Sequence, residues 1–577
     1  MIHLADASLP FRDPLTPGGR QPARLDAAPS LPLPAPLLRR LLLLSLFMVG
    51  IGSSPAAVFN VRDHGASGRK EEDARPAIQK AIDACAAGQG GTVLLPPGEY
   101  TSGTLRLRSH VRIEIAAGAT LFASTNPAAY DYDRIVAQSA LFRGENLEDV
   151  AIEGAGTVDG QAAYEWREDD FERGYSHMES MQRLGRSLLR SFPQGFPKRQ
   201  IFPRLVWLAG SKHIRFHGLR WLHSPSWTFN LYACEQVRFE DLYVHTSLKE
   251  GVWADGIDLD GCRDVTITGC RIETGDDCII FISSNVWGPA LPCENIRVSR
   301  CLLSSASAAV KFSEGNWAGV RDVWVSDCVL TNVNRGFVFS TTQGGEIRDV
   351  VLSNLTIHCR RFDWFWAGDG QPFYFRSTRL SEFTREPAKP GELPPGIIRN
   401  IALRNITAEA KGSSRFHGHP EGWLDGLSLE NVRVTLSADP SAPFDYATNI
   451  LDFRRARNVR VNGLETAWAG PGLAAWQSAL FCEEVQGLEV NGFTGRGAPG
   501  GDRPAVVLNV VERALLQGAR AEAGTAVFVQ VSGAGGRDIA IRSNDLRSAR
   551  VPLRVGPEVP EGRVRMQGNR MPGAGER

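Results

Sequence analysis

The sequence predicts an all-β protein, a right-handed single-stranded parallel β-helix with an N-terminal capping helix. Three observations predict it. A short pattern recurs along the chain, its segments read as period-two strands broken by Gly, Asn and Asp, and few stretches carry the period of an amphipathic helix. The pattern is a polar pair, an alternating apolar stretch, and then Asn, Gly or Cys. It appears as Arg263-Asp264-Val265-Thr266-Ile267 before Cys270, as Glu294-Asn295-Ile296-Arg297-Val298 before Cys301, and as Arg321-Asp322-Val323-Trp324-Val325 before Cys328. Further copies begin at Glu148, Lys212, Glu235, Arg348, Arg399, Asp425, Arg457, Gln486 and Arg537. Most successive starts lie one solenoid coil apart, as from 212 to 235 or from 425 to 457. A sandwich would show hairpin turns and no fixed repeat, whereas stacked coils leave few open edges.

Taken in order, residues 1–57 read as a leader and secretion signal. Arg39-Arg40 supplies the positive region, 41–52 the apolar region, and Ser54-Pro55-Ala56 a small-residue cleavage site. The stretch is short for a membrane span, and an uncleaved anchor is the alternative. The expected address is secreted or periplasmic. Residues 58–440 form the expected catalytic solenoid. Within it, 74–87 has helical spacing through Ile78, Ile82 and Cys85, and a helix here caps the open end of the stack. Residues 161–200 are charged and aromatic, with a helical stretch at 178–189, and read as an insertion over the cleft. The stretch 359–398 reads as a second insertion, with Trp364, Trp366, Phe373 and Tyr374 in its first half. Residues 441–577 continue the repeat as further coils.

The chain is too long for one compact globule, but a solenoid lengthens without thickening its core. Lysine plus arginine and aspartate plus glutamate each number 64, so charge gives no argument for nucleic acid or an anionic surface. No partner beyond a carbohydrate substrate is expected, no membrane contact beyond the secretion signal, and the oligomeric state is left open. Cys262, Cys270 and Cys278 recur evenly, and Cys270, Cys301 and Cys328 hold one repeat position. They read as a column of small buried side chains. A Cys278–Cys293 disulfide is the alternative. The spacings of zinc sites are absent, and no cofactor and no metal is expected.

The chemistry sits in two acidic motifs about one repeat apart, Trp253-Ala254-Asp255-Gly256-Ile257-Asp258 and Thr274-Gly275-Asp276-Asp277-Cys278. On adjacent coils, stacked about 4.8 Å apart, Asp255 and Asp276 fall at nearly the same angular position. Asp255, Asp276 and Asp277 then share one patch, and paired carboxylates cut glycosidic bonds. Crowding three carboxylates raises the pKa of one, which keeps its proton as an acid. A lone Asp-Gly would read as a turn cap. Asp258 either binds substrate or braces its turn, and Asp260 reads as structural. Trp253 is placed to stack on a sugar ring. His213, His217, His223 and His245 show no metal or triad spacing and read as structural.

These residues resemble glycoside hydrolase family 28, the polygalacturonase-like enzymes on a pectate-lyase-like solenoid, over roughly 58–440. The N-terminal part carries Phe59-Asn60-Val61, His64-Gly65-Ala66, Ala77-Ile78-Gln79-Lys80-Ala81-Ile82-Asp83 and a Gly-Gly-Thr-Val…Pro-Pro-Gly run. Ser224-Pro225-Ser226-Trp227 matches a family segment, Asp255-Gly256-Ile257-Asp258 matches most of the Asn-x-Asp-Gly-x-Asp motif with Trp253 in place of Asn, and Gly275-Asp276-Asp277-Cys278 matches its motif in full. The resemblance implies an inverting hydrolase in which Asp276 is the general acid and Asp255 and Asp277 activate water. Two motifs depart. The Gly-His-Gly motif falls near Ala306-Ser307-Ala308 without its histidine. The Arg-Ile-Lys motif falls near Val338-Phe339-Ser340 without either cation. Those cations hold the substrate carboxylate in the family, and Lys311 on the neighbouring coil is the candidate replacement. The implied function is a secreted hydrolase of a pectic or related polysaccharide, with an exo action if the insertions block one end of the cleft. A polysaccharide lyase with Lys311 as base and a non-catalytic carbohydrate-binding solenoid are the alternatives.

Overall fold

The computed structural model describes residues 57–131, 139–162, 203–249, 251, 253–362, 370–384, 387–439 and 447–573. The leader and signal region, most of the 161–200 stretch, and Trp364 and Trp366 lie outside the described residues.

The described chain is a right-handed parallel β-helix. Its strand pairings between coils are parallel, beginning with Val58–Asn60 on Gly91–Leu95 and ending with Arg537–Arg542 on Val564–Gln567. The stack keeps its architecture from Leu424–Ser437 onward: Leu451–Ala469 pairs back to Leu424–Ser437 and forward to Leu480–Asn491. The helix Arg75–Ala87 carries Pro76 in its first turn and buries Ala77, Ile78, Ala81, Ile82 and Cys85 against the first coils. No helix among the described residues is long and apolar enough to cross a membrane.

The recurring polar pair has a conformational cause. Its second residue is left-handed at copy after copy: Asp264 (φ 56°), Asn295 (53°), Asp322 (56°), Asp349 (55°), Asn400 (54°), Asn458 (55°) and Asp538 (55°). Asn and Asp tolerate this region better than other side chains, and Gly426 and Gly487 fill it at two copies. Side chains of the column bond from coil to coil, as Asn295 Nδ2 does to Asp264 Oδ1 and Asn400 Nδ2 to Asp349 Oδ1.

Inside the stack, the strands that carry the acidic motifs rest on a column of phenylalanines. Phe281, Phe312, Phe339, Phe375, Phe416 and Phe453 hold one register position on six coils. Phe312 and Phe339 lie 4.1 Å apart between centroids, Phe339 and Phe375 4.1 Å, and Phe416 and Phe453 4.4 Å. Removal of such buried rings from water is the main stabilising term here, and the stack fixes the coils that present the outward face.

One alternative falls and one expectation is corrected. All ten cysteines are free and buried, so Cys278 and Cys293 are not bridged. Cys278 packs beneath the acidic motif with its Sγ on Ser304 O, while Cys293 Sγ contacts Leu259 O and Ile282 O on the other side of the coil. The 359–398 stretch is not insertion throughout. Gln371–Ser377 is a regular coil strand paired with Val329–Thr341, which puts Phe373 in the core.

Candidate active site

The two acidic motifs meet because their strands stack. Ile257–Asp260 pairs with Ile279–Ser283, Ile257 opposite Ile279 and Asp258 opposite Ile280. Continued two residues back, this register sets Asp255 beside Asp277, with Asp276 one residue to the side. The sequence expectation had paired Asp255 with Asp276. Each of the three still offers an oxygen within 4.8 Å of the other two. The glycines are fixed by space. A Cβ on Gly256 would stand 2.4 Å from Cys278 O, and one on Gly275 2.3 Å from Ser247 O.

Asp255, Asp258, Asp276 and Asp277 are 4%, 0%, 4% and 1% exposed. Asp276 is held by donors from both sides, Trp253 N to Oδ2 at 3.1 Å and Asp277 N to Oδ1 at 3.0 Å. Its carbonyl accepts from Ser305 Oγ and Thr274 Oγ1. Asp277 Oδ1 accepts from Ala308 N at 2.9 Å, and Oδ2 lies 3.3 Å from Lys311 Nζ. Lys311 shares its register column with Asp258 through Ile280. Trp253 contributes through its backbone, in the left-handed region at φ 62°, a strained position for a bulky residue.

The electrostatics follow from burial. Burial, and then the Asp276, Asp258 and Asp277 carboxylates, drive Asp255 well above the usual carboxylate range, against the pull of Lys311. Burial, then Asp277, does the same to Asp276, against Lys311, the Trp253 amide and the Ser307 hydroxyl. Burial raises Asp258 too, with Arg204 opposing it most strongly. Asp255 Oδ2 and both Asp258 oxygens find no hydrogen-bond donor among the described residues, which further disfavours charge on them.

Arg204 is the residue that sequence reading missed. It is 4% exposed, its guanidinium lies 4.2 Å over the Trp227 ring, and it donates to Asn230 Oδ1 and to Tyr232 Oη at 3.4 Å. Asn230 is the register partner of Asp258. A signal existed: Arg204 heads the strand Arg204–Ala209, in which every residue is buried and all the others are apolar, and an arginine there needs a partner. Asp260 clamps Ser284 through its amide, at 2.8 Å, and its hydroxyl, in line with a structural role. His213, His223 and His245 pair with Asp149, Asp159 and Glu273 away from the cluster.

The arrangement can move protons, and three convergent carboxylates could also grip a divalent cation. Residues 190–358 match the sequence model described as glycosyl hydrolases family 28. Residues 58–128 match the model described as rhamnogalacturonase A/epimerase, pectate lyase-like. The chain is 28% identical over 234 residues to an exopolygalacturonase of Platanus acerifolia, covering 40% of this chain and 54% of that one. It is 27% identical over 258 residues to one of Zea mays, covering 42% and 56%. The chain thus spans about half the length of the curated relatives it matches. The exopolygalacturonase of Thermotoga maritima superposes with a TM-score of 0.56 at 20% identity, over 74% of this chain and 96% of that one. The family 28 exopolygalacturonase of Yersinia enterocolitica superposes at 0.56 and 19%, over 75% and 78%. These two likenesses establish the shared fold.

Proposed function

We propose that this chain is a family 28 glycoside hydrolase that cleaves a pectic or related polysaccharide by acid–base catalysis. The observation that carries the reading is the convergence of three buried carboxylates, two of them driven strongly toward the protonated form, between the cations Arg204 and Lys311. Asp276, held by two amides, is the general acid and gives its proton to the leaving glycosidic oxygen. Water attacks the anomeric carbon and loses its proton to Asp255 or Asp277, of which Asp277 is ion-paired with Lys311.

Inversion rests on the family resemblance. Retention through a covalent glycosyl intermediate is the alternative. The anomer of the first product, read by proton NMR, decides between them. The exo mode is supported by the exopolygalacturonases among the relatives and by an aromatic wall. After Ser283 the chain folds back so that Trp287 packs edge-on against Trp207, 5.2 Å between centroids, two coils to the N-terminal side of Asp258 in its column. Mixed product lengths from the first minutes of reaction would exclude exo action. Export through the 39–57 signal belongs to the same reading, and N-terminal sequencing of the protein from culture medium or periplasm tests it.

The deciding experiment is reducing-end release from a panel of pectic polysaccharides by the wild type and Asp276→Asn. Loss of about 10²-fold or more in the variant is expected for removal of a general acid. Undiminished release would remove Asp276 from that role. An unsaturated product abolished by a chelator would instead establish a lyase.

A further inference from the structure

The outward column that carries Asp258 and Lys311 does not end at the acidic cluster. It continues in register through Val338, Tyr374 and Arg415 to Asp452. A parallel column two residues on runs Ser340, Arg376, His417, Arg454. Val338 and Ser340 are the positions at which the family motif lacks its cations here. Positive charge reappears in the same two columns, one coil later at Arg376 and two coils later at Arg415.

Tyr374, Arg376, Arg415 and His417 of these columns line a cavity of about 210 Å³. Its walls include Tyr374, Arg376, Arg415, His417, His419 and Arg455, and no aspartate or glutamate is among its described lining residues. The floor is braced from behind. Arg454 holds Asp452 bidentately at 2.8 and 3.1 Å, and His417 Nε2 lies 3.2 Å from Asp452 Oδ1. Burial works against charge on Asp452, but His417 and Arg454 outweigh it and hold the carboxyl well below its usual range. Beneath Tyr374 and Arg415 the Phe339–Phe375–Phe416 stack keeps both coils rigid. His417, His419 and Arg455 face acidic partners in Asp452, Glu382 and Glu484, and the guanidinium forks of Arg376 and Arg415 beside a tyrosine ring make a shelf that matches a planar carboxylate carried on a sugar ring.

We propose that this shelf is a distal subsite that binds the carboxylate of a uronic acid in the substrate chain, three coils from Lys311. At the usual interstrand spacing this is about 14 Å, a span covered by an oligosaccharide and not by a single sugar. The inference rests on the proposed hydrolase reading for its direction: with an aromatic wall on the N-terminal side, the polymer leaves the acidic cluster toward Arg415. The chain therefore reads acidic substrate away from the scissile bond, where the family motif reads it close by.

The test is calorimetric binding of a length ladder of oligogalacturonides to the full chain carrying Asp276→Asn, which separates binding from turnover. Affinity is expected to rise at the length that reaches the shelf. Arg376→Gln and Arg415→Gln should remove that gain, about tenfold or more, and leave short oligomers unaffected, while Arg415→Lys should restore part of it. The same ladder with its carboxyls reduced to alcohols, offered to the unaltered shelf, should show no step, a control that needs no shelf variant to fold. A step that survives carboxyl reduction, a step insensitive to both arginines, free galacturonate binding as tightly as the long oligomers, or no binding of any oligogalacturonide would each overturn the subsite. Turnover of pectic substrates without the step would leave the hydrolase standing and remove the shelf. An arginine-dependent step without turnover by the wild type would do the reverse.

Discussion

Lys311 Nζ lies 3.3 Å from Asp277 Oδ2 across a coil boundary, and the carboxylate side chain it meets is 2% exposed. The same ammonium pulls Asp255, Asp258 and Asp276 toward the charged form against the burial that raises them. In Lys311→Met these carboxyls hold their protons to higher pH. The acid limb of the pH–rate profile should therefore move upward, with kcat/KM down by about tenfold or more near pH 5, a loss of about 1.4 kcal/mol. Lys311→Arg should return the limb toward the wild-type position.

Stability should fall as pH rises. Asp255, Asp258 and Asp276 have folded pKa values above their unfolded ones, so the folded state retains protons that the unfolded chain has already released. Their contribution is greatest below about pH 4, the ordinary carboxyl range, and is lost as pH climbs toward the raised values. Asp258→Asn removes one such group. It should raise Tm at pH 7 by a few degrees and flatten the pH slope, at the expense of activity. Thermal unfolding from pH 4 to 8 reads both.

Arg204 and Asp258 should prove coupled. Arg204→Met strips the buried guanidinium from Asn230, Tyr232 and the Asp258 field, and should cost about 3–5 kcal/mol. Combined with Asp258→Asn, the loss should be smaller than the sum by more than about 1 kcal/mol in denaturant titrations.

Val510 holds a left-handed turn position at φ 53°, in the column that elsewhere carries Arg455, Glu484 and Gly533. A β-branched residue is strained there. Val510→Asn should stabilise the chain by about 1 kcal/mol, measured as a shift in the denaturant midpoint.

The thiols should be silent. With all ten buried and unbridged, the native protein should take up alkylating reagent no faster than it unfolds, and reductant should leave Tm unchanged. Mass spectrometry after brief labelling checks the first expectation.

The architecture was legible because one constraint repeats. Each coil needs a left-handed residue after its first polar residue, and Asp264, Asn295, Asp322 and their equivalents advertise it. The acidic cluster was legible for a related reason, since Gly256 and Gly275 mark where backbone must pass close. Register was not legible. Asp255 falls opposite Asp277 because of the turn lengths between their strands, and coils of unequal length hide such offsets. The phenylalanine column was concealed likewise, its members separated by connections of different size. Arg204 escaped because its partners, Asn230, Tyr232 and Asp258, arrive from later coils.

The stacked phenylalanines do more than fill the core. They make the outer face a ruler with fixed graduations, each mark one coil from the next. Excising a whole coil between Lys311 and Arg415 would bring those residues nearer by a single graduation, about 4.8 Å, and leave each with its own neighbours. Substrate length preference in such a chain can therefore change only by whole steps, through gain or loss of a repeat, without any alteration to the carboxylates that do the cutting.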